Sequence, residues 1–268
     1  MKLFRVLDPN IPDQATHGLC ALAVMTKAPQ AGQVKTRLIP TLTPEEAAEL
    51  NKCFLRDTAA AISLCCSGGL RPPNAVNARL HPGAHRAPLQ CCGVAVYTPV
   101  GSESAYTDLL PVDFRLLPQR GDAFGERLHF AADDLFKCGF DSVCLIDSDS
   151  PTVPAENFAE AVDLLSATED RVVLGPSDDG GYYLIGMKTP HRHLFEQIDW
   201  STERVLDQTI QRANEIGLQV KLLPTGYDID DEASLRRLRN EILGAQADDS
   251  VAPSTTIFLG SLVERNIL

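Results

Sequence analysis

Short apolar runs of β type alternate along the chain with segments of helical period, and no other feature constrains the fold as much. Leu19–Met25, Val94–Tyr97, Phe114–Leu117, Ser142–Ile146, Val172–Gly175, Tyr182–Gly186 and Gln219–Leu223 read as strands. Between them, Thr43-Pro44-Glu45-Glu46 carries the signature of a capped helix start. That helix is predicted to run to about Leu64, with Ala47, Leu50, Phe54 and Leu55 inward. Asp122–Lys137, Ala155–Leu165, Thr202–Ile216 (capped by Ser201, closed by Gly217) and Asp231–Leu243 are the other predicted helices. Such alternation predicts a mostly parallel central sheet covered on both faces, a three-layer α/β/α domain.

Two stretches stand outside this plan. Ser67–Gly93 holds four Gly, four Pro, three Arg and two His without an acid, and reads as a flexible insertion. The tail after Gly244 starts polar and ends in the apolar patch Ile257-Phe258-Leu259, expected to dock on the domain or on a second subunit. The division expected is an extension over 1–18, a domain over 19–243 and a tail over 244–268.

The 268 residues carry 24 Lys+Arg against 36 Asp+Glu, a net charge of −12 that argues against nucleic acid as a partner. No apolar run approaches the roughly 20 residues of a membrane span, and residues 1–20 lack a signal-peptide pattern. A cytoplasmic protein is expected. The eight cysteines form no C-x-x-C pair. Cys20 and Cys144 read as core residues, and the doublets Cys65–Cys66 and Cys91–Cys92 bracket one loop where they could meet.

Chemistry in an open α/β sheet belongs beyond the carboxyl ends of the strands. After the first predicted strand, the acid-free stretch Gln14–Pro44 contains Lys27, Gly32, Lys35 and Arg37, residue types that cradle phosphate; it also reads as an ordinary connection. Asp147 and Asp149 follow the most apolar strand, two apart, placed to share a hard cation such as Mg²⁺ or Mn²⁺ or to form an Asx-turn. Asp228 or Asp230 would complete such a site from the segment before the last helix, or Asp230 would be that helix's N-cap. Gln119-Arg120-Gly121 leads through Gly125 into a helix whose start suits an anion or a base edge. Asp178-Asp179-Gly180-Gly181 sets two acids before a tight turn, either a bare hairpin or a place where a substrate ring approaches the backbone.

The ordered motifs MTKAPQAGQVKTRL, LPQRGDAFGERL, LIDSDSPTVP, GPSDDGGYYLIGM, DWST and DIDDEASL resemble those of a bacterial family of glycosyltransferase-like proteins. That family was long described as a domain of unknown function. Some of its members accompany radical-SAM genes and are called arsenosugar-biosynthesis glycosyltransferases. The resemblance spans roughly Leu19–Leu243 and implies the GT-A nucleotide-diphospho-sugar transferase fold, shared with sugar-phosphate and molybdenum-cofactor nucleotidyltransferases. It implies Lys27, Gly32, Lys35 and Arg37 at the nucleotide phosphates, and Gln119 and Gly125 near the base, with Arg120 between them read from the loop as a further substrate-binding residue. It also implies Asp149 at a divalent metal, where the residues themselves offer Asp147 and Asp230 as further ligands, and Asp179, Gly180 and Gly181 at the sugar or acceptor. The expected reaction is metal-dependent sugar transfer from a nucleotide sugar to a small-molecule acceptor, with Lys35 and Arg37 on the leaving diphosphate and Asp179 as base. The alternative is nucleotidyl transfer from an NTP to a phosphorylated molecule with release of pyrophosphate.

Overall fold

The computed structural model describes residues 4–68, 90–245, 247–248 and 250–268. Most of the insertion expected over Ser67–Gly93 lies outside the described residues.

Among the described residues eight strands form one sheet: β1 (Arg5–Val6), β2 (Cys20–Lys27), β3 (Cys91–Thr98), β4 (Arg115–Pro118), β5 (Ser142–Ile146), β6 (Arg171–Pro176), β7 (Tyr182–Met187) and β8 (Gln219–Leu222). Their spatial order is β1-β4-β3-β2-β5-β7-β6-β8. Pairing is parallel except at β7, which runs antiparallel to both β5 and β6. The five residues between β6 and β7 explain this polarity, because a parallel return needs a crossover of a dozen or more.

The helices are α1 (Pro44–Cys66), α2 (Phe124–Lys137), α3 (Ala155–Leu165), α4 (Val205–Glu215), α5 (Glu232–Ile242) and α6 (Pro253–Glu264). Alternating strand side chains sort between two cores. Leu22, Val24, Ala95, Tyr97, Cys144 and Ile146 pack with α1 and α3 on one face. Ala21, Ala23, Val94, Val96, Val143 and Leu145 pack with α2 on the other. The three-layer α/β/α architecture with a mostly parallel sheet is therefore the observed one.

At α1 the predicted capping box is present. Thr43 Oγ1 accepts from Glu46 N, and the Glu46 carboxylate accepts from Thr43 N. Ala47, Leu50, Phe54 and Leu55 are buried. The tail forms α6, which lies on α1 with Leu259 and Leu262 buried, while Ile257 stays exposed. Buried Asp57 of α1 fixes its start by accepting from Ser254 N, Thr255 N and Thr255 Oγ1 at 2.9, 2.9 and 2.7 Å. The helix expected over Thr202–Ile216 begins only at Val205. Ser201 does not cap it, because its backbone is left-handed with φ 64°.

Cys20 and Cys144 are core residues as expected. The two doublets meet, with Cys65 Sγ 3.8 Å from Cys91 Sγ, and all eight cysteines are free. No helix among the described residues is long and apolar enough to cross a membrane.

Candidate active site

The chain runs outward in opposite directions from β2 and β5, the central parallel pair, so their carboxyl ends form the switch point of the sheet. A crevice opens there as two adjoining hollows of about 380 and 470 Å³. Met25, Arg37, Phe124, Ser148, Asp149 and Asp230 border both.

The loop after β2 builds the first hollow. Gly32 turns through φ 71° with open space where a side chain would be. Lys27 Nζ donates to Gln33 O at 3.1 Å and closes the turn. Lys35 adopts the left-handed conformation (φ 49°), uncommon for a residue with a side chain. That kink turns its ammonium inward. Nζ lies 2.7 Å from Ile229 O, 2.9 Å from Asp149 Oδ2 and 3.0 Å from Asp230 Oδ1. Burial alone pushes this ammonium pKa down, but the charges of Asp149 and Asp230 outweigh it and the net shift is upward. Lys35, expected at the phosphates, lines the first hollow and at the same time clasps two expected metal ligands. Arg37 is 73% exposed and only 3.8 Å from Asp230, which leaves its guanidinium open to the crevice.

At the end of β5, Asp147 makes the Asx-turn weighed from the sequence. Its Oδ1 accepts from Asp149 N at 3.3 Å and its Oδ2 from Ser150 Oγ at 2.8 Å. Burial, then the neighbouring Asp149 and Asp228 charges, push its pKa up to about 8. Asp149 O accepts from Ile229 N and so ties this loop to the segment before α5. There Asp231 is the N-cap, accepting from Ser234 N at 2.8 Å, which frees Asp230 from the capping role. Asp228 accepts from Ser177 Oγ at 3.2 Å, and burial followed by the Asp179 and Asp230 charges raises its pKa to about 6.

Lys35 takes one oxygen of each of Asp149 and Asp230; the remaining oxygens, Asp149 Oδ1 and Asp230 Oδ2, are of the hard carboxylate type that Mg²⁺ and Mn²⁺ prefer, although the ammonium's charge opposes a cation beside it. A three-carboxylate cage with Asp147 is not formed: among the described residues no group of three acids, histidines or cysteines converges in that way.

Gln119 is pinned at the ends of β2 and β3, its amide nitrogen donating to Thr26 O and Val96 O at 3.3 and 2.8 Å. Arg120 does not line the crevice. It forms a bidentate pair with Asp134 of α2 and lies 3.9 Å from the Phe130 ring centroid. Gly125 serves packing: a Cβ there would come within 2.7 Å of Phe195 O and Trp200 Nε1. Gly180 likewise lies against the backbone of Glu203, where any side chain would collide. Asp179 Oδ1 accepts from Gly181 N at 2.8 Å, and both residues line the second hollow. Sequence reasoning did not single out Phe124, Arg127 or Trp200. Only the DWST motif pointed toward the last of these, which stands edge-on to Phe124 at 5.0 Å.

Residues 85–202 match the family described as "Uncharacterized protein conserved in bacteria (DUF2064)". That match takes in the motifs from LPQRGDAFGERL to DWST, so the resemblance of these motifs to a bacterial family of undescribed function is borne out there. A provisionally assigned nucleotide-diphospho-sugar transferase from Desulfovibrio desulfuricans G20 is 26% identical, and the match covers 94% of this chain and 98% of that one with a TM-score of 0.71. More distant likeness reaches 4-diphosphocytidyl-2C-methyl-D-erythritol synthase from Anaerococcus prevotii DSM 20548, 11% identical over 82% of this chain and 93% of that one, TM-score 0.46. It also reaches glucosyl-3-phosphoglycerate synthase from Mycobacterium tuberculosis, 11% identical over 92% and 79%, TM-score 0.45, a structure holding Mn²⁺ and uridine diphosphate. No curated protein matches the chain.

Proposed function

We propose that this protein transfers a sugar from a nucleotide-sugar donor to the hydroxyl of a small-molecule acceptor. The observation that carries the reading is the distribution of charge at the switch point. Lys27, Lys35, Arg37 and Arg127 surround the first hollow, whereas its two acids, Asp149 and Asp230, are both engaged by Lys35. Cations gathered around pinned backbone suit a diphosphate. The full-length relative assigned as a nucleotide-diphospho-sugar transferase supports the same reading.

In this proposal Arg37 and Lys27 hold the diphosphate oxygens and neutralise charge as the bond from the anomeric carbon to the β-phosphate oxygen breaks. Lys35 is a positioning residue that keeps Asp149 and Asp230 together. Asp149 and Asp230 would hold Mg²⁺ or Mn²⁺, which supplies further neutralisation of the diphosphate when bound. Gln119 fixes the base side of the pocket through the strand ends. Asp179 takes the proton of the acceptor hydroxyl as its oxygen bonds to the anomeric carbon, with Gly180 and Gly181 shaping the turn that presents it.

Product analysis tests the reading. With nucleotide sugars, Mn²⁺ and a panel of hydroxyl acceptors, the expected product is nucleoside diphosphate, lost in Asp149→Asn. Asp149-dependent release of pyrophosphate from an NTP and a phosphorylated co-substrate would overturn it in favour of nucleotidyl transfer.

A further inference from the structure

The two hollows share a border but differ in charge. Asp147, Asp149, Asp179, Glu203, Asp228 and Asp230 all line the second hollow, and among the described residues the one basic residue on its wall is Arg37, at the border with the first. Lys35 adds nothing there, because its side chain is 4% exposed and its ammonium already faces three protein oxygens. Asp149 and Asp230 are paired with Lys35, and Asp147 is tied into its own turn by Ser150, so a phosphorylated or carboxylated molecule entering this space would meet Asp179, Glu203 and Asp228 without a matching cation beyond Arg37. The remaining wall is apolar. Leu128, Leu145 and Ile185 belong to the core beneath it. Phe124 is a large apolar side chain 51% exposed at the mouth, with the Trp200 indole edge-on against it. Gly125 sets that indole in place, since any side chain at 125 would strike it.

We propose that the second hollow seats a non-anionic acceptor, a neutral or cationic hydroxyl compound whose apolar flank rests on Phe124 and Trp200 while its polar side faces the carboxylates. The identity of this compound as an acceptor rests on the transferase reading above; its chemical class rests on the hollow alone. Phe124 and Trp200 then select the acceptor by shape, and Asp179, Glu203 and Asp228 select it by charge. A phosphorylated co-substrate is disfavoured by the same wall.

Trp200 is the only tryptophan in the chain, so its fluorescence reports on this hollow directly. Three probes with one aromatic ring and different charge are titrated into the full-length protein: benzyl alcohol, benzyltrimethylammonium and benzyl phosphate. The alcohol and the ammonium are expected to give saturable changes, with benzyl phosphate at least tenfold weaker. Asp228→Asn should narrow the gap between ammonium and phosphate, whereas Phe124→Ala should weaken the alcohol and the ammonium by about three- to tenfold without changing their order. Benzyl phosphate binding as tightly as the ammonium, or no saturable Trp200 response to any probe, would overturn the proposal. Calorimetry with UDP, GDP, ADP and CDP plus Mn²⁺ keeps the two readings apart. If the aryl probes behave as expected and no nucleotide binds, the donor assignment fails and the class of the second ligand stands; the converse pattern sinks only the class.

Discussion

Replacing Asp147 by asparagine removes a carboxyl that the folded protein holds protonated far above its ordinary range. The pKa rises from 3.8 to about 8, chiefly through burial and then through the charges of Asp149 and Asp228. The folded state thus binds this proton more tightly than the unfolded chain does. Between about pH 4 and pH 8, rising pH therefore removes stability; below that window both states are protonated and the effect vanishes. At about 1.4 kcal/mol per tenfold in proton affinity, the ceiling near pH 8 is roughly 5 kcal/mol. Water entering the crevice and the carboxamide's own hydrogen-bonding needs reduce the expected gain to about 1–3 kcal/mol. Asparagine keeps the shape and still accepts from Asp149 N, while its new NH₂ meets the Ser150 hydroxyl, now as acceptor. For a chain of this length the gain corresponds to roughly 2–10 °C in Tm. Thermal unfolding of D147N and the parent in chelator, from pH 4 to pH 8.5, is the assay. The two curves should coincide near pH 4 and diverge as pH rises, the variant above. A constant offset at every pH, or a variant that loses stability as pH rises, would refute the assignment of a strained, proton-holding carboxyl at the end of β5.

Arg37→Ala should weaken nucleoside-diphosphate binding by about tenfold or more and leave nucleoside binding and Tm nearly unchanged, because its guanidinium is exposed and has one distant partner. Lys35→Ala should also lower stability, by roughly 1–2 kcal/mol, since it leaves Asp149 and Asp230 beside each other with only partial solvent screening; the two effects separate by calorimetry and thermal unfolding. Asp57→Ala removes three hydrogen bonds from the start of α6 and should cost about 2–4 kcal/mol. Hydrogen exchange should quicken over 253–264 while β2, β3 and β5 stay protected.

What was legible in the sequence was whatever local chemistry decides. The Ser142–Ile146 and Ala155–Leu165 boundaries agree with the structure because an unbroken apolar run and a helical period are local signals. The α1 start agrees because a capping box is a local hydrogen-bond pattern. The start of α4 was misread for the opposite reason. Ser201 and Thr202 have the chemistry of caps, but Leu206 N bonds to Gly180 O and the chain enters the helix late, a constraint imposed from the turn between β6 and β7. Gly125 and Gly180 carry no label that separates a ligand glycine from a packing glycine; Trp200 and Glu203 make the distinction, and both are distant in sequence. The helix at 253–264 has Pro253 at its first turn, a usable start signal, but its anchor, Asp57, is 197 residues away from Ser254. Arg120 looked like an anion ligand because guanidinium chemistry is the same on a phosphate and on Asp134.

Lys35 explains how one crevice sustains two opposite charges. Carboxylates arrive from the end of β5 and from the segment before α5, and the parallel sheet brings both to the same edge. Lys35 takes a left-handed turn that costs roughly 1–2 kcal/mol, and its ammonium lies in the gap between Asp149 and Asp230. Ile229 O completes its shell, so the contact joins the loop after β2 to the chain entering α5 as well as to the loop after β5. The consequence is a fixed boundary. On one side of Lys35 the acids are engaged and Arg37, Lys27 and Arg127 set the sign; on the other, Asp179, Glu203 and Asp228 set it. The bond that breaks in the proposed reaction would lie across that boundary, with the departing diphosphate on the cationic side and the attacking hydroxyl on the side where carboxylates can take its proton.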